Sequence, residues 1–309
     1  MSGERPTGAL RSWLFVPGDS EGKQAKALTT EADALILDLE DSVDPGQLPA
    51  ARSRVRELLG SQPAGSGPQL WVRINPPQGR AWREDLAAVF GERPPDGIVL
   101  PKVSSAGEIV EVGEQLTALE AGRGLSGGAT GLLVIATETA RGLLALPGYP
   151  AALEAAPVAA VRLAALTWGA EDLSAALGAT GKRDAAGALT FPYALARGSC
   201  LLAAAALGVQ AVDGVHVEFR DAEGLARELG EARRDGFSGK LAIHPDQIAA
   251  INAAFTPTEA ERTYALRVVA AFAATGGAGV ASLDGQMIDR PHLIQARRVL
   301  AAVRGARKA

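Results

Sequence analysis

Acidic residues lie near the ends of several short apolar runs in this sequence. Asp38, Glu40 and Asp41 end the run "ALILDLED", Glu138 lies near the end of "LLVIATET", and Asp172 ends "VRLAALTWGAED". Hard cations such as Mg²⁺ bind one or two protein carboxylates, and water and substrate oxygens complete the octahedron. Glu138 and Asp172 meet that need without a softer ligand, so we predict that they hold Mg²⁺. For either residue taken alone, a salt-bridged strand end is the alternative.

Arg73 lies inside the apolar run "LWVRINP", where a charge is costly unless it is paired. A planar guanidinium can donate two parallel hydrogen bonds, which suits the carboxylate of an α-keto acid. A structural salt bridge to Asp38 or Glu40 is the alternative. The sequence therefore marks Arg73 as a substrate-binding candidate and leaves the alternative open.

The histidines and the single cysteine do not have the spacing of a zinc site. His216, His244 and His292 have no histidine four residues away and no cysteine close in sequence, whereas structural zinc sites use closely spaced ligand pairs. Cys200 has no second cysteine with which to form an intrachain disulfide, which fits a reducing cytoplasm. We expect Cys200 to be a buried, inert thiol.

Composition argues against two kinds of partner. The formal net charge of −4 over 309 residues disfavours a surface that binds nucleic acid. No apolar run reaches the ~18 residues that a membrane span requires, and the first residues lack the apolar core of a signal peptide. We therefore expect a cytoplasmic protein that binds neither nucleic acid nor a membrane.

Eight leucine-rich and β-branched runs alternate with helical patterns along the chain. Eight strand–helix units are typical of the (β/α)8 TIM barrel, which usually has about 250 residues. We predict an α/β fold with a barrel over residues 1–255 and a C-terminal helical extension over 256–309, whose last helix runs through Lys308. The runs are "WLFVPG" (13–18), "ALILDLED" (34–41), "LWVRINP" (70–76), "GIVLPKV" (97–103), "LLVIATET" (132–139), "VRLAALTWGAED" (161–172), "VDGVHVE" (212–218) and "KLAIHPD" (240–246).

The carboxyl ends of all eight strands converge on one mouth of such a barrel, where active sites of this fold lie. The polar residues at the predicted strand ends should therefore gather into one site. They are Asp38, Glu40, Asp41, Arg73, Asn75, Lys102, Glu138, Glu171, Asp172, His216, Glu218 and His244.

The first strand leads into a possible phosphate site. "RSWLFVPGDSEGKQAKAL" places a Pro-Gly turn after the strand, then a helix start, then Lys23 and Lys26. Free N–H groups at a helix start and nearby lysines attract phosphate. A lysine-rich first helix is also a common solvated surface, so these residues alone do not decide between the two.

Taken together, the motifs resemble a known family. "RSWLFVPGDSEGKQAKAL", "DALILDLEDSV", "VRINP", "GIVLPKV", "TETARGL", "TWGAEDL", "AIHPDQI" and "DGQMIDRPH" are similar, in this order, to the citrate lyase beta-subunit and its relatives in the HpcH/HpaI aldolase family. The resemblance runs from about Arg11 to His292. It implies a (β/α)8 barrel, commonly a homotrimer, in which Mg²⁺ assists cleavage or condensation of acyl-CoA thioesters and α-keto acids.

The resemblance also implies roles for single residues at the metal and the carrier. Glu138 of "TETARGL" and Asp172 of "GAEDL" match the metal ligands, and Arg73 of "VRINP" matches the arginine that grips the keto acid. Arg11 and Lys26 match the region that meets the phosphates or the carrier of the thioester. The family motif often reads "IETARG", and Thr137 replaces the isoleucine here, which affects the shape of the metal pocket.

Asp289 of "GQMIDRP" acquires a role from the resemblance alone. In CoA-dependent relatives this acid lies in a C-terminal segment that covers a neighbouring subunit's barrel mouth and handles the proton at the α-carbon of the thioester. From the residues alone, Asp289 is a helix N-cap, because Pro291 follows in a helix start.

The remaining site residues are expected to support the metal and the leaving group. Backbone N–H groups around Gly169 and Ala170 should stabilise the departing keto acid together with Arg73. Glu40 and Asp41 should orient metal-bound water and Arg73.

These expectations define a Mg²⁺-dependent lyase that cleaves a 3-hydroxy-3-carboxy acyl thioester, similar to citryl-CoA, into acetyl-CoA and an α-keto acid such as oxaloacetate. Five alternatives stay open. The chain could be a malyl-CoA or citramalyl-CoA lyase, a malyl-CoA thioesterase, or an enzyme with malate synthase-like activity. It could instead be a non-autonomous subunit that acts on the thioester of an acyl-carrier protein, or a CoA-free pyruvate aldolase.

Overall fold

The computed structural model describes residues 9–275, apart from 64 and 66, and residues 279–306. Eight parallel strands form a closed barrel in which each strand pairs with the next and β8 pairs with β1. This confirms the predicted (β/α)8 barrel. The strands are β1 Ser12–Pro17, β2 Ala34–Asp38, β3 Gln69–Arg73, β4 Gly97–Leu100, β5 Gly131–Ile135, β6 Leu163–Thr167, β7 Gln210–Asp213 and β8 Gly239–Ala242.

Helices surround the barrel and continue into the extension, and in the described ranges none combines the length and apolar character of a membrane span. The helices are α1 Glu21–Leu28, α2 Leu48–Ser61, α3 Ala81–Val89, α4 Ala106–Ala121, α5 Ala140–Ala145, α6 Tyr149–Glu154, α7 Pro157–Ala160, α8 Ala170–Leu177, α9 Phe191–Leu207, α10 Ala222–Asp235, α11 Ile248–Phe255, α12 Glu259–Ala274 and α13 Arg290–Ala306. Short 3-10 turns cover Pro45–Gln47, Leu146–Gly148 and Pro245–Gln247.

The alternating side chains of β2 divide between two hydrophobic cores. Leu35 and Leu37 pack outward in the core between strands and helices. Ala34 and Ile36 belong to the core inside the barrel. Successive side chains of a strand point to opposite faces, so Asp38 follows Ala34 and Ile36 on the inner face. An acidic residue thus enters the barrel interior at its mouth.

Aromatic rings fill the barrel interior below the mouth. The rings of Trp13 and Trp71 meet edge to face with centroids 4.9 Å apart. Glycines on the two following strands make room for Trp71, because a Cβ on Gly97 would lie 2.1 Å from its ring and a Cβ on Gly131 2.8 Å. The interior below the mouth is therefore packed, and polar chemistry is confined to the carboxyl ends of the strands.

Every strand ends earlier than its predicted run, and the difference is largest for β6 and β7. The run 161–172 stops being a strand at Thr167, because α8 begins at Ala170 after the N-cap Gly169. The run 212–218 ends at Asp213, and the run 240–246 ends at Ala242 before a 3-10 turn that His244 caps. Asp172 therefore lies in the first turn of a helix and not at the end of a strand.

The C-terminal extension has a hydrophobic core of its own. Val268 and Phe272 of α12 pack with Ile288 and Ala296 in a cluster separate from the barrel cores. The turn-rich segment of the sequence contains an antiparallel hairpin, β9 Val280–Leu283 and β10 Gln286–Asp289. The last helix is described as far as Ala306, and Lys308 lies outside the described residues.

Candidate active site

Arg73 lies at the barrel mouth, held by Asp38 at the end of the neighbouring strand and by Glu40 two residues beyond it. The register of β2 and β3 pairs Asp38 with Arg73. Nε and Nη2 of the guanidinium donate to the two Asp38 oxygens at 2.6 and 2.7 Å, and Nη1 lies 2.7 Å from Glu40 Oε2. Phe15 packs against the guanidinium, with its ring centroid 4.8 Å from Cζ. The structural salt bridge considered for Arg73 is therefore present.

The two acids that hold Arg73 differ in how easily they ionise. Burial disfavours the charged form of Asp38, but the hydrogen bond and charge of Arg73 outweigh it and lower the pKa of Asp38. Burial raises the pKa of Glu40, and Arg73 and Lys102 only partly offset this effect. Arg73 thus favours the ionised form of Asp38, whereas the pKa of Glu40 stays above its ordinary value despite two neighbouring cations.

Lys102 connects the acids of the mouth. It follows β4 in the left-handed conformation, with φ 52°, which is uncommon outside glycine. Its Nζ donates to Glu40 and to Asp41 Oδ2, the latter at 2.9 Å, and lies 3.4 Å from Asp172 Oδ1. Its backbone N–H donates to Glu138 Oε2 at 2.5 Å.

The sequence placed Lys102 at a strand end but gave it no role. The available signal was a lysine directly after a buried run in a chain whose other strand ends are mostly acidic. Contacts to four carboxylates make Lys102 the residue that joins the acids of β2 to those that follow β5 and β6.

Glu138 is a buried carboxyl with a strongly displaced pKa. Its side chain follows β5 and only 5% of the residue is exposed. Burial raises the pKa of Glu138 to about 8, and the charges of Asp172 and Glu40 add to the rise. The Lys102 N–H and Arg73 oppose it. Glu138 therefore lies where negative charge exceeds the positive charge that the side chains supply.

Gly169 allows the start of α8 to approach Glu138. A Cβ at Gly169 would lie 2.5 Å from Glu138 Cγ, so a larger residue would displace that side chain. The Gly169 N–H donates to Thr137 Oγ1 at 3.3 Å, which gives a structural role to the threonine that departs from the family motif. The N–H of Ala170, in the first turn of α8, has no intrahelical acceptor. Of the two backbone N–H groups predicted to stabilise the departing keto acid, that of Ala170 is therefore the more available.

The mouth fits a magnesium ion better than a zinc ion. Across the described part of the chain, no group of three or more His, Cys, Asp or Glu side chains is arranged to hold a metal, although zinc sites need three or four protein ligands. Mg²⁺ takes one or two carboxylates and keeps several waters. Glu138, with its raised pKa, and Asp172 would provide such a donor set.

Arg11 does not join the site, which corrects the expectation that it contacts the thioester carrier. It precedes β1 and therefore lies at the amino end of the barrel, opposite the mouth. Its side chain is bound by both oxygens of Asp33, at 2.9 and 2.7 Å, and by Thr256 Oγ1 at 2.9 Å. The strand predicted over 13–18 already implies this position, because Arg11 precedes the strand, and the carrier role came from the resemblance alone.

Lys26 and Asp289 also lie apart from the acidic cluster. Lys26 is exposed in the last turn of α1, the end of the helix farther from the mouth. Asp289 ends β10, and its Oδ1 lies 2.6 Å from His292 Nδ1. Within the described residues, no hydrogen bond or ion pair joins Asp289 to the mouth of its own barrel. The structure thus gathers Arg73, Glu40, Asp41, Glu138, Asp172, Gly169 and Ala170, and leaves out Arg11, Lys26 and Asp289.

A closed parallel barrel with acids, one arginine and one lysine at its mouth defines a (β/α)8 protein with an enzyme-type site. The chain belongs to the HpcH/HpaI aldolase/citrate lyase family, whose model matches residues 11–245. The membership confirms the resemblance inferred from the motifs.

Characterised relatives cover nearly the whole chain. A (3S)-malyl-CoA thioesterase of Cereibacter sphaeroides is 37% identical over 295 residues, which are 94% of each chain. A mitochondrial citramalyl-CoA lyase of Rattus norvegicus is 34% identical over 94% of this chain and 85% of its own. The crystal structure of CitE from Mycobacterium tuberculosis in complex with magnesium, acetoacetate and coenzyme A matches with a TM-score of 0.73 and 34% identity. That match covers 96% of this chain and 99% of the other.

Proposed function

We propose that this protein is a Mg²⁺-dependent carbon–carbon lyase of 3-hydroxy-3-carboxy acyl-CoA thioesters. It would cleave a substrate similar to citryl-CoA into acetyl-CoA and an α-keto acid such as oxaloacetate. The observation that carries the proposal is the pair Glu138 and Asp172 at the mouth, where burial and neighbouring acids raise the pKa of Glu138 to about 8. A carboxyl in such surroundings favours a cation as its partner.

Glu138 and Asp172 would hold the metal, and the magnesium and coenzyme A bound to the CitE relative support both groups here. When bound, Mg²⁺ supplies the positive charge that makes the substrate hydroxyl more acidic and the adjacent carbon more carbonyl-like. Protein side chains and the backbone at the start of α8 would bind the substrate and stabilise the departing keto acid.

Arg73 would bind the carboxylate of the keto-acid half. Nε and one N–H of Nη2 are engaged by Asp38, and Glu40 faces Nη1. A guanidinium has five N–H donors, so donors on Nη1 and Nη2 remain for the substrate. Because its acid partners already fix the guanidinium, little reorganisation accompanies the charge that develops on the departing group. The Ala170 N–H is a second donor on that side.

Cleavage transfers the proton of the hydroxyl to solvent water and breaks the bond between C2 and C3 of the acyl chain. The electron pair of that bond stays with C2 and gives the enolate of the thioester, while C3 becomes the carbonyl of the keto acid. The enolate carbon then takes a proton. We assign this proton to Asp289 of a neighbouring subunit in a homotrimer, since Asp289 lies apart from the mouth of its own barrel.

Two features of the substrate stay open within this class. Malyl-CoA and citramalyl-CoA have the same hydroxyl, carboxylate and thioester, and the citramalyl-CoA lyase relative supports the latter. The carrier could also be an acyl-carrier protein, with this chain acting as a subunit of a larger complex. Lys26, exposed on α1, is a residue for such a carrier to contact.

A malyl-CoA thioesterase is the second candidate. The 37% identical relative that bears this name supports it. A thioesterase would use the same acids and arginine, but the thioester bond would break and free CoA thiol would appear.

The proposal is tested with the purified protein, Mg²⁺ and separate samples of citryl-, citramalyl- and malyl-CoA. We expect α-keto acid from at least one of the three and complete loss of its release when EDTA is added. Keto-acid release that EDTA leaves unchanged would contradict a metal-dependent site. A protein that turns over none of the free CoA thioesters, but turns over the acyl-carrier form, would be the non-autonomous subunit.

A further inference from the structure

Lys102 has no place in the function proposed above, although it contacts Glu40, Asp41, Glu138 and Asp172. We propose that Lys102 is a positioning residue that acts as an internal counter-ion of these acids and weakens the binding of the divalent cation. This inference rests on the proposed function, because Glu138 and Asp172 are taken as the metal ligands. The predicted consequence is that removing the Lys102 charge tightens metal binding while turnover falls.

Both the backbone and the side chain of Lys102 touch a proposed metal ligand. The N–H donates to Glu138 Oε2 at 2.5 Å, and Nζ lies 3.4 Å from Asp172 Oδ1. The carbonyl accepts from Gln78 Nε2 at 2.9 Å, so the peptide units on both sides of the residue are held. One residue therefore orients one ligand and neutralises the other.

The backbone conformation of Lys102 points to a requirement for its side chain. A φ of 52° suits glycine, which has no Cβ to clash with the backbone. Glycine at this position would keep the N–H that binds Glu138, but it would lose the ammonium that binds Glu40, Asp41 and Asp172. A lysine at such a φ indicates that the charge, and not the turn alone, is what the site uses.

The sign of the effect on the metal follows from the charges. Lys102 contacts four of the carboxylates at the mouth. Its ammonium lies against both Asp172 and the pair Glu40 and Asp41. Without the ammonium, the electrostatic potential at Glu138 and Asp172 becomes more negative. The carboxylate of Asp172 is then no longer paired with the positive charge of Lys102. A doubly charged cation gains twice as much as a single charge from that change, so we expect an affinity increase of about tenfold or more.

Turnover should change in the opposite direction. Glu40 and Asp41 both bind the Lys102 ammonium, and Glu40 in turn holds Nη1 of Arg73. Loss of the ammonium releases this arrangement, so we expect kcat to fall about tenfold or more. If Lys102 had only a structural role, its replacement would weaken metal binding and turnover together.

The test is titration calorimetry of Mg²⁺ into the full-length protein at one pH and one ionic strength. The variants are Lys102→Met, Lys102→Gly, which suits the left-handed backbone if the methionine variant does not fold, and Lys102→Arg, which keeps the charge. Lys182→Met is the matched control, because Lys182 is similarly half-buried and pairs with Glu171, next to Asp172 in α8. We expect a tighter Kd for Lys102→Met and Lys102→Gly, a Kd close to the wild-type value for Lys102→Arg, and a shift below threefold for the control.

Two results overturn the inference, and they are distinguishable. If the wild-type protein binds Mg²⁺ and the uncharged Lys102 variants bind it equally or more weakly, the counter-ion role is wrong while the proposed metal site stands. If the wild-type protein binds no Mg²⁺, the proposed function and this inference fail together.

Discussion

Glu40 and Glu138 lie in one cluster of carboxylates, but their different neighbours separate their expected roles. Glu40 contacts Arg73 and Lys102, so its negative charge is already balanced by protein cations. Glu138 accepts a backbone N–H from Lys102, and burial, together with the charges of Asp172 and Glu40, raises its pKa. The first residue therefore supports Arg73, and the second is free to bind a cation.

Replacing each glutamate with glutamine should distinguish these roles. We expect Glu138→Gln to abolish both Mg²⁺ binding and keto-acid release, because one of only two proposed ligands is lost. Glu40→Gln should retain Mg²⁺ binding and keep some activity, with a loss of tenfold or more, on the order typical for groups that orient metal ligands. Calorimetry and steady-state rates measured on both variants check this, and equal effects of the two changes would contradict it.

At the scale of elements, the sequence indicated the barrel more reliably than it indicated where strands end. The alternation of side chains along a strand separates Asp38 of "ALILDLED" from the leucines, and the structure has the leucines of β2 packed outward. The end of β6 was missed because Gly169 and a helix start are hidden in an apolar run. Arg11 was assigned to the carrier through the resemblance, although it precedes the predicted first strand. Its partners, Asp33 and Thr256, are distant in sequence, and such long-range pairing leaves no local pattern.

The junction between β6 and α8 yields a prediction at this scale. Gly169→Ala would place a Cβ 2.5 Å from Glu138 Cγ, so the glutamate must move. We expect Mg²⁺ affinity to fall about tenfold or more, as for other changes that disturb ligand orientation. Gly198→Ala on α9 is the control, because its Cβ would meet no atom within 4 Å. An unchanged Mg²⁺ affinity in Gly169→Ala would show that this close approach is not needed.

A buried ion pair joins α4 to the amino end of β6, away from the site. Arg162 and Glu120 share two hydrogen bonds of 2.6 Å, and both side chains are almost fully buried. Burial disfavours the charge of Glu120, but the hydrogen bonds from Arg162, Thr130 and Gly128 outweigh it and lower its pKa. The pair therefore stabilises the barrel at neutral pH.

Glu120→Gln should reduce the free energy of unfolding by about 3–5 kcal/mol at pH 7, because Arg162 is left buried without its partner. The native pKa of Glu120 is below its unfolded value, so the stabilisation is complete above the unfolded pKa and is lost as pH falls through the native pKa. The difference in the free energy of unfolding between wild type and variant should narrow below about pH 4. Urea denaturation of both proteins at several pH values measures this difference.

Glu111→Gln, also on α4, is the matched control for this measurement. It breaks an exposed pair with Arg83 and should cost less than about 1 kcal/mol. A gap between wild type and Glu120→Gln that stays constant down to pH 3 would contradict the sign of the pKa shift.

For the whole molecule, we expect the extension of one chain to complete the proposed site of a neighbouring chain. Its own core holds α12, the hairpin and α13 together, and Asp289 contacts His292. Resemblance to the family supplied the expectation that this segment serves a neighbouring subunit, which no pattern within the sequence could reveal.

Mixing two inactive variants tests whether sites are shared between subunits. Asp289→Ala removes the proposed proton donor, and Glu138→Gln removes a proposed metal ligand. Each variant alone should be inactive, but co-expressed chains should regain measurable activity, because some mouths pair an intact Glu138 with a neighbour's intact Asp289. Activity no greater than that of the separate variants would indicate that each chain uses its own Asp289 or none.

The most direct measurement of the central claim is the ratio of α-keto acid to free CoA thiol formed from the preferred thioester by the Mg²⁺-loaded enzyme. Breaking the bond between C2 and C3 leaves the thioester intact, so we predict keto acid with no matching release of thiol, and neither product in the presence of EDTA. Thiol released without keto acid would contradict carbon–carbon cleavage and identify the protein as a thioesterase.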